Sequence, residues 1–140
     1  MDRIVIDRKL ESLRRCLARI RSQEPLSPEK LANDFDTQDI VSLNLTRAVQ
    51  LAIDIGAHLV SASQQVPPAS MGETFDQLGL MGILSPELAL RLKKSVGFRN
   101  IAVHNYSTLN WAVVHSIVHD HLKDFDEYAQ AVVAYLSLQA

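Results

Sequence analysis

The tripeptide Ser-Pro-Glu occurs twice, at Ser27-Pro28-Glu29 and Ser85-Pro86-Glu87, and each copy precedes apolar residues at helical spacing. Serine caps the first free amides of a helix, and proline fits a first turn where no amide partner is needed. Glutamate complements the positive end of the helix dipole. With such starts and only 5 glycines and 5 prolines in 140 residues, the chain is confined to helices joined by short connections. Other starts follow the same logic. Asp2 precedes Ile4, Leu10, Leu13, Leu17 and Ile20. Thr37 precedes the longest run, from about 38 to 63, with Ile40, Val41, Leu45, Val49, Ile53 and Leu59 or Val60 on one face. Ser70-Met71-Gly72-Glu73 has capping-box spacing before Phe75 and Leu78, and Thr108 or Asn110 opens a last run from about 111 to 138. No stretch keeps a strand period for more than a few residues. The expectation is an all-α protein, an antiparallel up-and-down helical bundle with short extra helices in its connections, built as a single domain over residues 1–140.

A net charge of −2 and a pI near 6.2 leave no global basic footprint. Contact with nucleic acid must come from a local patch, or from one assembled between subunits. Two basic concentrations exist. Arg3, Arg8, Arg14, Arg15, Arg19 and Arg21 share the polar side of the first helix, where they either meet phosphates or form a solvated face. Arg91, Lys93, Lys94 and Arg99 lead along the fifth helix. Cys16 is the single cysteine, which excludes an intramolecular disulfide and suits a reducing compartment. Beside Arg14 and Arg15 it reads either as an activated thiol or as a small packed side chain. The N-terminus lacks the apolar run of a signal peptide, and no stretch approaches the ~20 apolar residues of a membrane span. A cytoplasmic protein without a membrane partner is expected.

The functional weight falls on Gly97-Phe98-Arg99-Asn100-Ile101-Ala102-Val103-His104-Asn105-Tyr106. This run sets an arginine, a histidine, two asparagines and a tyrosine around an apolar trio. Arg99 offers a planar fork suited to phosphate, His104 exchanges a proton near neutral pH, and Tyr106 adds a phenolic hydroxyl. On the long third helix, Arg47, Gln50 and Asp54 stand three and four positions apart and so share one side. Either they form a surface ladder, or they face the 99–106 segment and orient it.

Arg99 and His104 are five positions apart, about 140° around a regular helix, so they do not converge on one substrate atom. Two arrangements resolve this. The segment leaves helical geometry before His104, or two copies of the chain meet across a two-fold axis and complete one site. The second also answers a chemical need. Internal cleavage of RNA requires a base for the 2′-hydroxyl and an acid for the leaving oxygen, and a symmetric pair of histidines supplies both. Paired arginines would stabilise the charge of the transition-state phosphate without a metal or cofactor.

The run from Arg99 to Tyr106 resembles the Arg-x4-His-x-Tyr motif of the HEPN superfamily, and specifically the HepT toxins of HepT–MntA toxin–antitoxin pairs. Asn44-Leu45-Thr46-Arg47-Ala48-Val49-Gln50, leading into Ile53-Asp54-Ile55 and His58, is similar to that family's long helix. Pro68, Glu73, Phe75 and Val96-Gly97-Phe98 also match it. The resemblance implies a HEPN fold, a homodimer with the motif at its interface, and a type II/VII toxin that cuts RNA without metal and leaves a cyclic phosphate. Arg99 and His104 would be catalytic, with Asn100, Asn105, Arg47 and Asp54 in support. Tyr106 would be the tyrosine that an MntA-like nucleotidyltransferase, the cognate antitoxin, modifies with AMP.

Two other readings fit some of the residues. A non-catalytic accessory subunit would dock the nucleotidyltransferase and present nucleotide without cutting anything. A metal site would use His115 and His119, at chelating i, i+4 spacing, with Asp120, His121 and Asp124 nearby. The glutamate of a His-Glu-x-x-His enzyme is missing, because Ser116 follows His115. That row also fits a solvated histidine–aspartate face.

Overall fold

The computed structural model describes residues 2–139. Helix starts follow the capping chemistry closely. In α1 (Arg3–Arg21) the Asp2 carboxylate accepts the Val5 amide, and in α2 (Pro28–Asn33) Ser27 accepts that of Lys30. Helix α3 (Phe35–Ser61) starts earlier than expected. Its cap is Asp34, which takes the Asp36 and Thr37 amides, not Thr37. A carboxylate is the better cap, and Thr37 is instead buried in the first turn. Ser70 opens α4 (Met71–Leu80), although the Glu73 carboxylate reaches past Ser70 to the Ala69 amide. Ser85 opens α5 (Pro86–His104), and Asn110, not Thr108, opens α6 (Trp111–Ser137). A single 3-10 turn, Tyr106–Thr108, bridges α5 and α6.

Cross-helix pairs fix the topology. Lys9 lies by Asp54, and Arg19 shares a hollow with Asn44, so α1 and α3 run antiparallel. Arg99 meets Gln50 while Tyr106 meets Ser42, so α3 and α5 do too. Arg91 pairs with Asp124 and Glu127 across α5 and α6, and Arg21 with Asp126 across α1 and α6. The four long helices α1, α3, α5 and α6 therefore alternate in direction around the bundle, the expected up-and-down arrangement, with α3 and α6 parallel across its diagonal and α2 and α4 as the short extra helices.

One continuous core fills the bundle. Tyr128 is wholly buried in it, donates its hydroxyl to the Ala52 carbonyl at 2.7 Å, and meets Phe75 edge-on. Gly56 lets α4 and α6 approach α3, since a Cβ there would stand 2.6 Å from Thr74 Cγ2. One position departs from the sequence reading: Ile4 points outward, and Ile6 takes the inward place at the start of α1. Helix α3 also meets, by length and composition, the criterion for a membrane span that the sequence reading found nowhere. Its apolar side chains, from Val41 through Leu45, Val49 and Ile55 to Val60, form the middle of this core.

Candidate active site

Helix α5 stays regular through His104, with the Asn105 amide still bonded to the Ile101 carbonyl at 2.8 Å. Only at Asn105 (φ −152°, ψ 60°) does the backbone turn away. Escape from helical geometry before His104 is thereby closed. Within one chain Arg99 and His104 project about 140° apart.

Arg99 is half-buried and held from two sides. Its Nε donates to Gln50 Oε1 at 3.0 Å and its Nη1 to Asn100 Oδ1 at 3.0 Å. The Gln50 amide is itself oriented, because its Nε2 donates to Asp54 Oδ1 at 2.9 Å. Asp54 lies 3.6 Å from the Lys9 ammonium. The chain of contacts from Asp54 through Gln50 to Arg99 fixes one edge of the guanidinium and leaves Nη2 without a partner among the described residues. Of the row read from the sequence, Gln50 alone bonds to the 99–106 segment; Asp54 reaches it only through Gln50 and itself meets Lys9 on α1. Arg47 does not bond to that segment and turns toward α1, where it lines a hollow with Arg15 and Arg19.

His104 is exposed, and its ring makes no hydrogen bond among the described residues. Asn105 is also exposed and accepts from the Ser107 hydroxyl at 3.4 Å. Tyr106 is 41% exposed and packs edge-on against Trp111, with ring centroids 5.9 Å apart. Its hydroxyl donates to Asp39 Oδ1 at 2.9 Å and accepts from Ser42 Oγ at 3.2 Å. Partial burial pushes this phenol up from its ordinary range. The Ser42 hydrogen bond opposes that shift and the Asp39 carboxylate adds to it. Asp39 and Ser42 escaped the sequence reading. Their only signal was i, i+3 spacing on α3, on the stripe that Thr46 continues.

The histidines of α6 are spoken for individually. His115 Nε2 lies 2.9 Å from the Leu26 carbonyl, and His119 Nδ1 2.8 Å from Asp120. His121 meets Asp124, which is buried rather than solvated because Arg91 binds its other oxygen at 3.0 Å. Among the described residues no group of three or more metal-binding side chains converges.

A family model described as "Ribonuclease HepT-like" matches residues 13–132. The mRNA nuclease HepT of Shewanella oneidensis is 37% identical over 134 residues, covering 96% of this chain and 99% of the relative. The tRNA nuclease HepT of Aphanizomenon flos-aquae is 30% identical over 95% of this chain and 90% of its own. Among solved structures, the tri-AMPylated Shewanella oneidensis HEPN toxin in complex with MNT antitoxin superposes with a TM-score of 0.86. It is 36% identical, over 96% of this chain and 99% of that one.

Proposed function

The chain belongs to the HepT-like ribonuclease family, and on that premise we propose that it is the toxin of a type II/VII toxin–antitoxin pair, an endoribonuclease whose site is completed by a second copy of itself. The observation that carries this reading is the contrast between the two motif side chains. Arg99 is clamped by Gln50 and Asn100, whereas His104, five residues on, is exposed and unbonded among the described residues. A fixed cation and a free imidazole, pointing apart on one regular helix, suit a site whose two halves come from two chains. Ile101 and Val103 between them are 46% and 50% exposed, and Leu43 on α3 is 51% exposed. These side chains supply apolar area for a homodimer contact around the two-fold axis.

In that dimer one imidazole takes the proton of the RNA 2′-hydroxyl as its oxygen attacks phosphorus. The other, as imidazolium, protonates the departing 5′-oxygen. The products are a 2′,3′-cyclic phosphate and a free 5′-hydroxyl, and no metal takes part. The paired Arg99 forks stabilise the additional negative charge as it develops. Asn100 and the Gln50–Asp54 pair position the arginine. Asn105 turns the chain so that Tyr106 comes back beside α3.

Tyr106 is the point of control. A cognate MntA-like nucleotidyltransferase transfers AMP from ATP to its hydroxyl with release of pyrophosphate, setting negative charge and a bulky nucleoside where the RNA phosphate would lie. The test uses the purified protein without its antitoxin. RNA cleavage that persists in chelator and is lost in His104→Ala supports the reading. Undiminished cleavage by the folded mutant would overturn it.

A further inference from the structure

The groove between α1 and α3 holds three cations that the site above does not use. Arg15 and Arg19 from α1 and Arg47 from α3 line a hollow of about 390 Å³ whose wall reaches Gln50 and Asp54. A second hollow, about 410 Å³, shares Arg19, Asn44 and Arg47 with the first and continues to Asp39 and Leu43. A third, about 360 Å³, shares Asp39 and Leu43 with the second and ends at Tyr106. The first two make one trough between α1 and α3 from Asp39 to Asp54, about 22 Å at 1.5 Å per residue. The Gln50 that grips Arg99 stands toward one end and Asp39, which binds the Tyr106 hydroxyl, at the other. The third hollow lies across Leu43 on the α3–α5 side, with Val103 of the proposed dimer contact in its wall.

None of the three arginines joins an ion pair or donates a hydrogen bond to protein among the described residues, whereas Arg21, Arg91 and Arg99 do. Both carboxylates along the trough are already engaged, Asp54 by Gln50 and Lys9, Asp39 by the Tyr106 hydroxyl. The charge left without a partner there is therefore positive, in a protein whose net charge is −2. The three guanidinium groups act on a common point. Burial pushes the Cys16 thiol on the trough floor up, and Arg47, Arg15 and Arg19 all oppose it. Like charges gathered around one hollow repel each other until an anion lies between them. Guanidinium forks match phosphate oxygens in particular.

We propose that this trough is a phosphodiester-backbone subsite, holding the stretch of RNA substrate that flanks the linkage cut at Arg99 and His104. The proposal rests on the ribonuclease reading above. Among the described residues no aromatic side chain lines the trough. Stacking therefore contributes little along it, and recognition is by charge, tolerant of sequence and sensitive to salt.

The experiment measures binding of a labelled single-stranded RNA oligonucleotide by fluorescence anisotropy across a salt series. It uses full-length His104→Ala protein, so that the probe survives. Adding Arg15→Gln, Arg19→Gln and Arg47→Gln should weaken binding at least tenfold. The salt slope should flatten by about 0.7 per lost phosphate contact on a single strand, hence by about 2 for three. Arg8→Gln with Arg14→Gln, on the same helix outside the trough, should change the slope little. The exposed arginines leave the core untouched, and melting temperature checks this, with Arg47→Gln alone as a milder variant. An affinity and slope equal to the parent's, or no lower than the control's, would refute the subsite. So would normal RNA binding combined with loss of AMP transfer to Tyr106, which would assign the trough to the adenylyl chain. Failure of the unsubstituted protein to cut any RNA would sink the ribonuclease reading, a result the anisotropy series does not produce.

Discussion

The Tyr106 hydroxyl donates to the Asp39 carboxylate at 2.9 Å across 67 positions of sequence. An oxygen that is to attack an α-phosphate must shed its proton, and Asp39 already holds that proton in a hydrogen bond. Asp39→Asn keeps an acceptor oxygen in place but removes the base. The rate of AMP transfer to Tyr106 should fall at least about tenfold, toward the 10²–10⁴ span of a general base. RNA cleavage by unmodified protein should hold. Intact mass, followed over time in nucleotide-sized steps, reads the first; a parent-like rate would remove Asp39 from the transfer step.

On the proposed reading Gln50 serves cleavage mainly by holding Arg99, so Gln50→Ala should leave the fold intact and loosen the guanidinium. Cleavage should drop about 10- to 100-fold, the scale of a misplacement near 1 Å. The loss should appear mainly in kcat. Asp54→Asn, one step further away, should cost less. Equal activity in the Gln50 variant would mean that Asn100 alone positions the arginine.

If two imidazoles share acid and base work, one intact copy is not enough. A tandem-fused dimer carrying His104→Ala in one half should lose nearly as much cleavage as one carrying it in both. Retention of about half the parent rate would contradict the shared site.

Gly56→Ala tests the packing that holds α3 in place. Helix propensity favours alanine by up to about 1 kcal/mol. Yet the new methyl would sit 2.6 Å from Thr74 Cγ2 and 3.0 Å from Leu78 Cδ1. Thr74 is buried and β-branched and has little room to swing aside. Overpacking of this kind costs about 1–3 kcal/mol, so a net fall in stability to denaturant is expected; a gain would show that α4 can yield.

What the sequence disclosed was local. Ser27, Ser70, Ser85 and Asn110 act on amides two or three residues away, and helix starts follow from such neighbours alone. The start of α3 lies earlier than expected because Asp34 and Thr37 both qualify as caps; the Asp34 carboxylate, the better cap, takes the Asp36 and Thr37 amides while Thr37 is buried. The stripe Arg47–Gln50–Asp54 was visible, but not which neighbour each member would meet. Gln50 finds Arg99 49 positions away, while Arg47 faces α1. Asp39 and Ser42 had no marker beyond their spacing, because what distinguishes them is a tyrosine delivered by the turn after α5.

Helix α3 carries the grip on Arg99 at Gln50 and the grip on Tyr106 at Asp39 and Ser42, on a single rod of 27 residues. If Arg99 cuts and Tyr106 is where the enzyme is silenced, as proposed, a shift of that rod along its axis moves the weapon and its safety catch together. Backbone drift in a lineage would then not retune one alone, and only exchange of individual side chains would make the enzyme harsher without also changing how it is silenced.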